Sequence, residues 1–225
     1  MVSFSRFFCH VFIRRAFIIT MVVGTAGQIS GEVDISVRNN GTETNGRQLI
    51  AQARTDPAAF AQLYRQHYDV AFRYCVHRLF ERHAAEDATS AVFLKVVQKL
   101  NSFKGDERQF RNWLYKIATN EVNNRLRHAA RRNRLLEGVR EHTNGQAGGH
   151  QRSTDESAER LALLKRAMLT LKPRYQTIIT LRFFENLKLT EIAAVLGSSP
   201  GTARSQLARA LAGLRKKMAA LQREV

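Results

Sequence analysis

Two cysteines, Cys9 and Cys75, are all that the 225 residues contain. They lie far apart, with no further Cys or His at ligand spacing, so neither a disulfide framework nor a structural zinc site is supported. A reducing, cytoplasmic setting fits, and Cys75, on an apolar helical stripe, reads as a small core residue rather than a reactive thiol. Proline is almost as scarce: Pro57 and Pro200 stand where helices start, and Pro173 where one breaks. Period-two alternation is missing as well, which argues against a sheet and leaves an all-α chain. There is no Walker-type glycine loop, no His pair at metal spacing and no Ser with His and Asp in a plausible arrangement. No catalytic residue, metal or cofactor is therefore assigned, and the chain is not expected to be an enzyme.

Acidic residues are in short supply. Against 36 Lys plus Arg stand 19 Asp plus Glu, a formal charge of +17. Such a balance favours a polyanionic partner, nucleic acid or an acidic membrane, over the plainer alternative of a merely basic surface. A long hydrophobic run is also lacking. Behind Arg14 and Arg15, "AFIITMVVGTAG" resembles the charged and apolar parts of an export signal, yet it is too short for a bilayer core of about 30 Å. Three readings stand: a signal or anchor over Phe12 to Val23, a functional extension, or translated leader upstream of Met21. The nucleic-acid character of the rest favours a mis-assigned start or a disordered extension, without obligatory membrane contact.

Four segments follow from pattern and composition. Residues 1–48 form the extension, and their last part, "GEVDISVRNNGTETNGRQ", reads as a flexible arm. Residues 49–132 form a first helical domain. Asp56 followed by Pro57 is a helix-start signature, and Phe60, Leu63, Tyr64, His67, Ala71, Phe72, Cys75 and Leu79 then mark one buried face. Ala85, Thr89, Val92, Phe93, Val96, Val97 and Leu100 make a second stripe; Phe110, Trp113, Leu114, Ile117, Ala118, Val122 and Leu126 make a third. Residues 133–157, polar and dotted with Gly145, Gly148 and Gly149, read as a flexible linker. A coil of about 25 residues spans roughly 25–30 Å on average and about 80 Å when stretched, so two modules can occupy separate places on one large ligand. Residues 158–225 form a second small helical domain.

Within that domain, "LTEIAAVLGSSPGTARSQLARALAGLRKKM" has the layout of a helix-turn-helix. Thr190 is placed to cap the first helix, Gly197 to take the left-handed turn, and Ser199 to cap the second helix ahead of Pro200. Ala203, Leu207, Ala210, Leu211 and Leu214 face inward, which leaves Thr202, Arg204, Ser205, Gln206 and Arg209 outside with Ser199 at the start. Arg donates twice to guanine, Gln pairs with adenine, and hydroxyls and helix-start N–H groups hold phosphates. These six residues are the expected duplex-DNA face.

The stretch "RYQTIITLRFFENLKLTEIAAVLGSSPGTARSQLARALAGLR" resembles region 4 of bacterial sigma factors, which reads the minus-35 promoter element. Upstream, "AEDATSAVFLKVVQKL" and "FKGDERQFRNWLYKIATNEVNNRLR" resemble sigma region 2 of the extracytoplasmic-function (ECF) group of the sigma-70 family. The resemblance implies a region 2 that grips the clamp helices of the largest subunit of core RNA polymerase through Glu86, Asp87, Phe93, Lys95 and Val96. The chain departs from the family there, with Ser90 and Ala91 in place of Gln and Glu and with Val97 in place of a frequent Trp. Aromatic groups interleaved with cations and amides suit an opened strand. Phe103, Lys104, Arg108, Phe110, Arg111, Tyr115, Lys116, Asn120, Asn123, Asn124, Arg125 and Arg127 supply them. By resemblance, the loop from Lys104 to Gln109 receives a base flipped from the minus-10 element, near Asn120, Asn123 and Asn124; Trp113 is expected in the core. The implied partners are core polymerase, promoter DNA and an anti-sigma protein. The competing reading is a one-component regulator that binds duplex operators without polymerase.

Overall fold

The computed structural model describes residues 42–140 and 156–223, and among these every regular element is helical. The apolar segment of the first thirty residues and most of the expected linker lie outside the described residues.

Helix α1 (Thr42–Gln52) includes residues 42–48, which the sequence pattern places in the arm. Its buried end explains why a helix forms there: Leu49 and Ile50, with Ala53 just beyond, are all buried in the core. Helix α2 (Pro57–Leu79) starts as expected, with the Asp56 carboxylate accepting from Ala58 N at 2.9 Å and Ala59 N at 3.3 Å and Pro57 in the first turn. A cap of this kind is worth about 1 kcal/mol. Helix α3 (Arg82–Lys99) is capped by Glu81, and a short 3₁₀ turn (Leu100–Ser102) closes it.

Helix α4 (Glu107–Arg140) is the longest element and runs well into the segment assigned to the linker. Its start is held by a reciprocal cap. Asp106 N donates to Gln109 Oε1 at 2.9 Å, and Gln109 N donates to Asp106 Oδ1 at 2.7 Å. Leu63, Ala71, Val92, Val96, Phe110, Leu114, Ala118 and Val122 fill the space between α2, α3 and α4. Each Val, Leu or Phe among them, fully withdrawn from water, contributes about 1.5–3 kcal/mol, and each Ala about 0.8 kcal/mol or less.

The second unit comprises α5 (Glu156–Leu169), α6 (Pro173–Ile179), one π-helical turn (Thr180–Phe184), α7 (Leu189–Leu196) and α8 (Pro200–Arg223). Leu164, Met168, Ile178, Ile179, Ile192, Ala203, Ala210 and Leu214 form its core. The π turn is followed by Asn186 at φ 56°, in the left-handed region that Asn tolerates better than most residues. That bend turns Glu185 away from its own unit.

Candidate nucleic-acid and polymerase interfaces

The turn between α7 and α8 follows the sequence closely at two positions and departs from it at a third. Gly197 has φ 63° and ψ 38°, and Ser199 Oγ accepts from Thr202 N at 3.1 Å. Thr190, however, lies inside the first turn of α7 and does not cap it. Glu191 does so instead, its Oε2 accepting from Lys188 N at 2.8 Å, because the helix begins two residues earlier than a Thr190 cap requires, at Leu189. On α8, Ala203, Ala210 and Leu214 are buried and Leu207 and Leu211 half-buried. Ser199, Thr202, Arg204 and Arg209 are exposed, and Ser205 and Gln206 are half-buried.

In the first unit the expected polymerase face needs correcting. Phe93 is 4% exposed and Val96 is fully buried, because they pack against α2; the Phe93 ring lies 4.6 Å from that of Tyr64. Lys95 Nζ donates to Glu121 Oε2 at 2.5 Å. The side of α3 left open to solvent is the opposite one. Leu94 and Val97, at 61% and 51% exposure, are two of the large hydrophobic residues that stand in water, flanked by the exposed Asp87 and Ser90. Val97 thus leaves the inward stripe on which the periodicity had placed it. Glu86 is half-buried and pairs with Arg82 Nε at 2.8 Å.

The expected single-strand face divides three ways. Lys104, Asn120 and Arg127 are exposed. Phe110 is fully buried, packed against Phe103, Trp113 and His67, and cannot stack on a base without unmaking that cluster. Burial, reinforced by the nearby Arg111 charge, lowers the His67 pKa to about 4. Gln109 is committed to the α4 cap, and Asn124 accepts from Arg127. Trp113, half-buried against the Phe103 and Phe110 rings, belongs to the edge of the core.

Of the remaining members of that face, Arg108 and Arg111 meet the second unit directly, and Asn123 is linked to it by way of Arg78. Arg108 Nε and Arg111 Nη2 both donate to Glu191 Oε1 at 3.2 Å. Asn123 Oδ1 accepts from Arg78 Nη2 at 2.7 Å, while Arg78 Nη1 donates to Gln176 Oε1 at 2.8 Å. Tyr115, expected against DNA, is buried and donates its hydroxyl to Glu185 Oε2 at 3.0 Å; burial and that carboxylate push its pKa up. Glu185 itself receives Arg73 through Nε and Nη2 at 3.1 and 2.9 Å and lies 3.1 Å from His77 Nδ1. Burial alone would raise the Glu185 pKa, yet His77 and Arg73 hold it below the ordinary carboxylate value. Sequence reasoning passed over Glu185, Arg73 and His77 altogether, since the only signal was an acidic residue at a helix break.

The family profile described as Sigma-70 region 2 matches residues 63–132, and that described as Sigma-70, region 4 matches residues 161–214. The RNA polymerase sigma-H factor of Pseudomonas aeruginosa is 30% identical over 191 residues, covering 81% of this chain and 98% of its own length. This chain belongs to the sigma-70 family. The ECF RNA polymerase sigma-E factor of Escherichia coli is 31% identical over 145 residues, covering 61% of this sigma factor and 75% of its own length, which places the chain in the ECF group; the ECF RNA polymerase sigma factor BldN of Streptomyces coelicolor is 32% identical over 165 residues, covering 73% of this sigma factor and 62% of BldN. Among solved structures, CnrH in complex with the cytosolic domain of CnrY aligns with TM-score 0.52 and 26% identity over 80% of this chain and 97% of its own. The sigma factor RpoE of Bartonella quintana, solved with the anti-sigma factor NepR, has TM-score 0.53 and 21% identity over 71% and 96%, a likeness of fold. The pairing of regions 2 and 4 supports the sigma factor and not the one-component regulator. None of the described helices is long and apolar enough to cross a membrane.

Proposed function

We propose that this sigma factor binds core RNA polymerase and directs it to a bipartite promoter, region 4 on duplex DNA and region 2 on the polymerase and the opened strand. The observation that carries the reading is the α8 surface, where Ser199, Thr202, Arg204 and Arg209 stand clear of the core around an N-terminus that attracts phosphate. Ser205 and Gln206 complete the minus-35 face. Residues 49–132 serve as region 2 and residues 158–225 as region 4. The polymerase contact runs along Asp87, Leu94 and Val97, an apolar anchor with a charged rim, and Glu86 supports the rim. Phe93, Lys95 and Val96 act from beneath by fixing α3. Lys104, Asn120 and Arg127, joined by Arg108, Arg111, Asn123 and Asn124 once they are released, take the unpaired minus-10 strand.

Opening the duplex costs a few kcal/mol per unstacked step, which stacking and phosphate contacts to the released strand offset without nucleotide hydrolysis by this chain. The factor works in the cytoplasm without a cofactor, and an anti-sigma protein is its expected antagonist. Transcription in vitro tests the proposal: the full chain with core enzyme, on promoter templates selected from genomic DNA, yields discrete starts that core enzyme alone does not give. Failure to form a stable complex with core enzyme overturns it.

A further inference from the structure

Arg54 lies just past the end of α1, and its Nη2 donates to the backbone carbonyl of Phe103 at 2.7 Å, across 49 positions of chain. Helix α1 is seated well enough to aim it. Leu49, Ile50 and Ala53 are buried in the core, and at Gly46 the backbone comes so close to the first turn of α4 that a Cβ would stand 2.3 Å from Glu107 Oε2.

The carbonyl that Arg54 holds stands at the entrance of the loop between α3 and α4, whose Lys104 is among the residues proposed to take the unpaired strand. The Phe103 ring is fixed against Phe110 and Trp113, with centroids 5.6 and 5.0 Å away. A fixed ring does not fix the peptide plane that follows it, because that plane turns about ψ, here 133°. The Arg54 guanidinium does, by holding the oxygen of that plane in a charge-assisted bond stronger than a neutral one. At the far end of the loop, Asp106 and Gln109 close the α4 cap on each other. Two residues, Lys104 and Gly105, lie between these anchors, so the pinned plane sets the direction in which the exposed Lys104 leaves the chain.

We propose that Arg54 is a positioning residue for the unpaired strand: from the end of α1 it fixes the Phe103 peptide, and with it the course of the loop that presents Lys104, without itself touching the DNA. A loop already held in its bound course loses less freedom when the strand arrives, and that difference shows in affinity and in discrimination between bases. The role rests on the proposed function, in which region 2 takes that strand.

The test uses the full chain bound to core polymerase, with core enzyme alone as the blank. The probe is a labelled single strand carrying the non-template sequence of a promoter at which wild type initiates, together with a series in which one base at a time is replaced by an abasic site. Fluorescence anisotropy gives the affinity for each. Wild type is expected to show peaks, positions at which loss of the base weakens binding about tenfold, the size of one good base contact. In Arg54→Ala one such peak should fall to about threefold or less as the loop loses its preorganisation. Binding to the strand abasic at that position, helical circular dichroism and the urea midpoint should stay near wild type. Arg54→Lys, which keeps a cation at the carbonyl, should recover most of the peak, and Arg47→Ala, a matched loss of one exposed cation from α1, should change nothing.

A peaked wild-type profile that Arg54→Ala leaves intact overturns the positioning role. So does a uniform loss across intact and abasic strands with a shallower salt slope, the mark of a direct phosphate contact. Should Arg54→Ala lose its helical circular dichroism, Arg54→Gln takes its place, keeping part of the stem without the charge. A flat wild-type profile, or no complex with core enzyme at all, sinks the proposed function and this role with it, so the wild-type series tells the two failures apart.

Discussion

Lys95 Nζ and Glu121 Oε2 meet at 2.5 Å, tying α3 to α4 on the side turned away from Leu94. Arg125 Nε shares the same carboxylate through Oε1 at 2.8 Å, and together the two cations hold the Glu121 pKa below its ordinary value against the effect of burial. Helix α3 is thereby fixed in rotation: Phe93 and Val96 are committed to the core, and Leu94 and Val97 to solvent.

Substitutions on the two sides of α3 should therefore separate binding from stability. Leu94→Glu is expected to abolish comigration with core polymerase on gel filtration while leaving the urea midpoint unchanged. Phe93→Ala and Phe110→Ala should each cost about 3–5 kcal/mol of folding stability, the usual loss for a buried Phe. A Phe110→Ala variant with full stability and a defect confined to strand opening would contradict its place in the core.

On α8, Arg204→Ala or Arg209→Ala should weaken binding to promoter duplex by about 1–3 kcal/mol where the side chain reads a base, with the salt slope little altered. A phosphate contact gives a smaller loss and a shallower slope. Anisotropy titrations at two or more salt concentrations distinguish them, and no loss in either variant would remove both residues from the interface.

Gly197→Ala isolates a backbone effect. At φ 63°, with nothing within 4 Å of the added Cβ, the methyl group meets no obstacle, so the expected cost of about 1 kcal/mol is that of the left-handed conformation alone. Urea denaturation should show it without any change in slope; a neutral result would mean that α7 and α8 do not need this turn.

His67 gives a pH dependence of known sign. Its pKa is lowered from 6.5 to about 4 in the fold, so between those values the unfolded chain binds the extra proton. The stability is complete above pH 6.5 and is lost as pH falls towards 4, by about 2 kcal/mol at pH 5. Carboxylates with lowered pKa, Glu121, Glu185 and Glu191, give up their share only below the ordinary value of 4.5. Urea midpoints at pH 7.5 and 5 for wild type and His67→Gln check this: the variant should lose most of the difference between the two.

Much of the fold was legible because local rules and tertiary packing agree. Helical spacing marked α2, α3 and α4, Asp56-Pro57 and Ser199-Pro200 marked two starts, and Gly197 marked the turn. The open side of α8 was legible for the same reason: an amphipathic helix with one well-defined core side leaves its other side to solvent. The region 2 surfaces were less so. A stripe such as Val92, Phe93, Val96 and Val97 is wider than the contact it makes, and periodicity alone does not say which edge is covered.

The sequence by itself determined an all-helical chain, its two units, the helix-turn-helix and the basic balance, because caps, turns, spacing and charge act within a few residues of one another. Only the tertiary structure decided that Val97 faces water, that Phe110 is sealed in an aromatic cluster and that Glu185 meets Arg73 across 112 positions of chain. Those outcomes depend on which helix arrives opposite, and a carboxylate at a helix break carries no mark of the distant cations that will surround it.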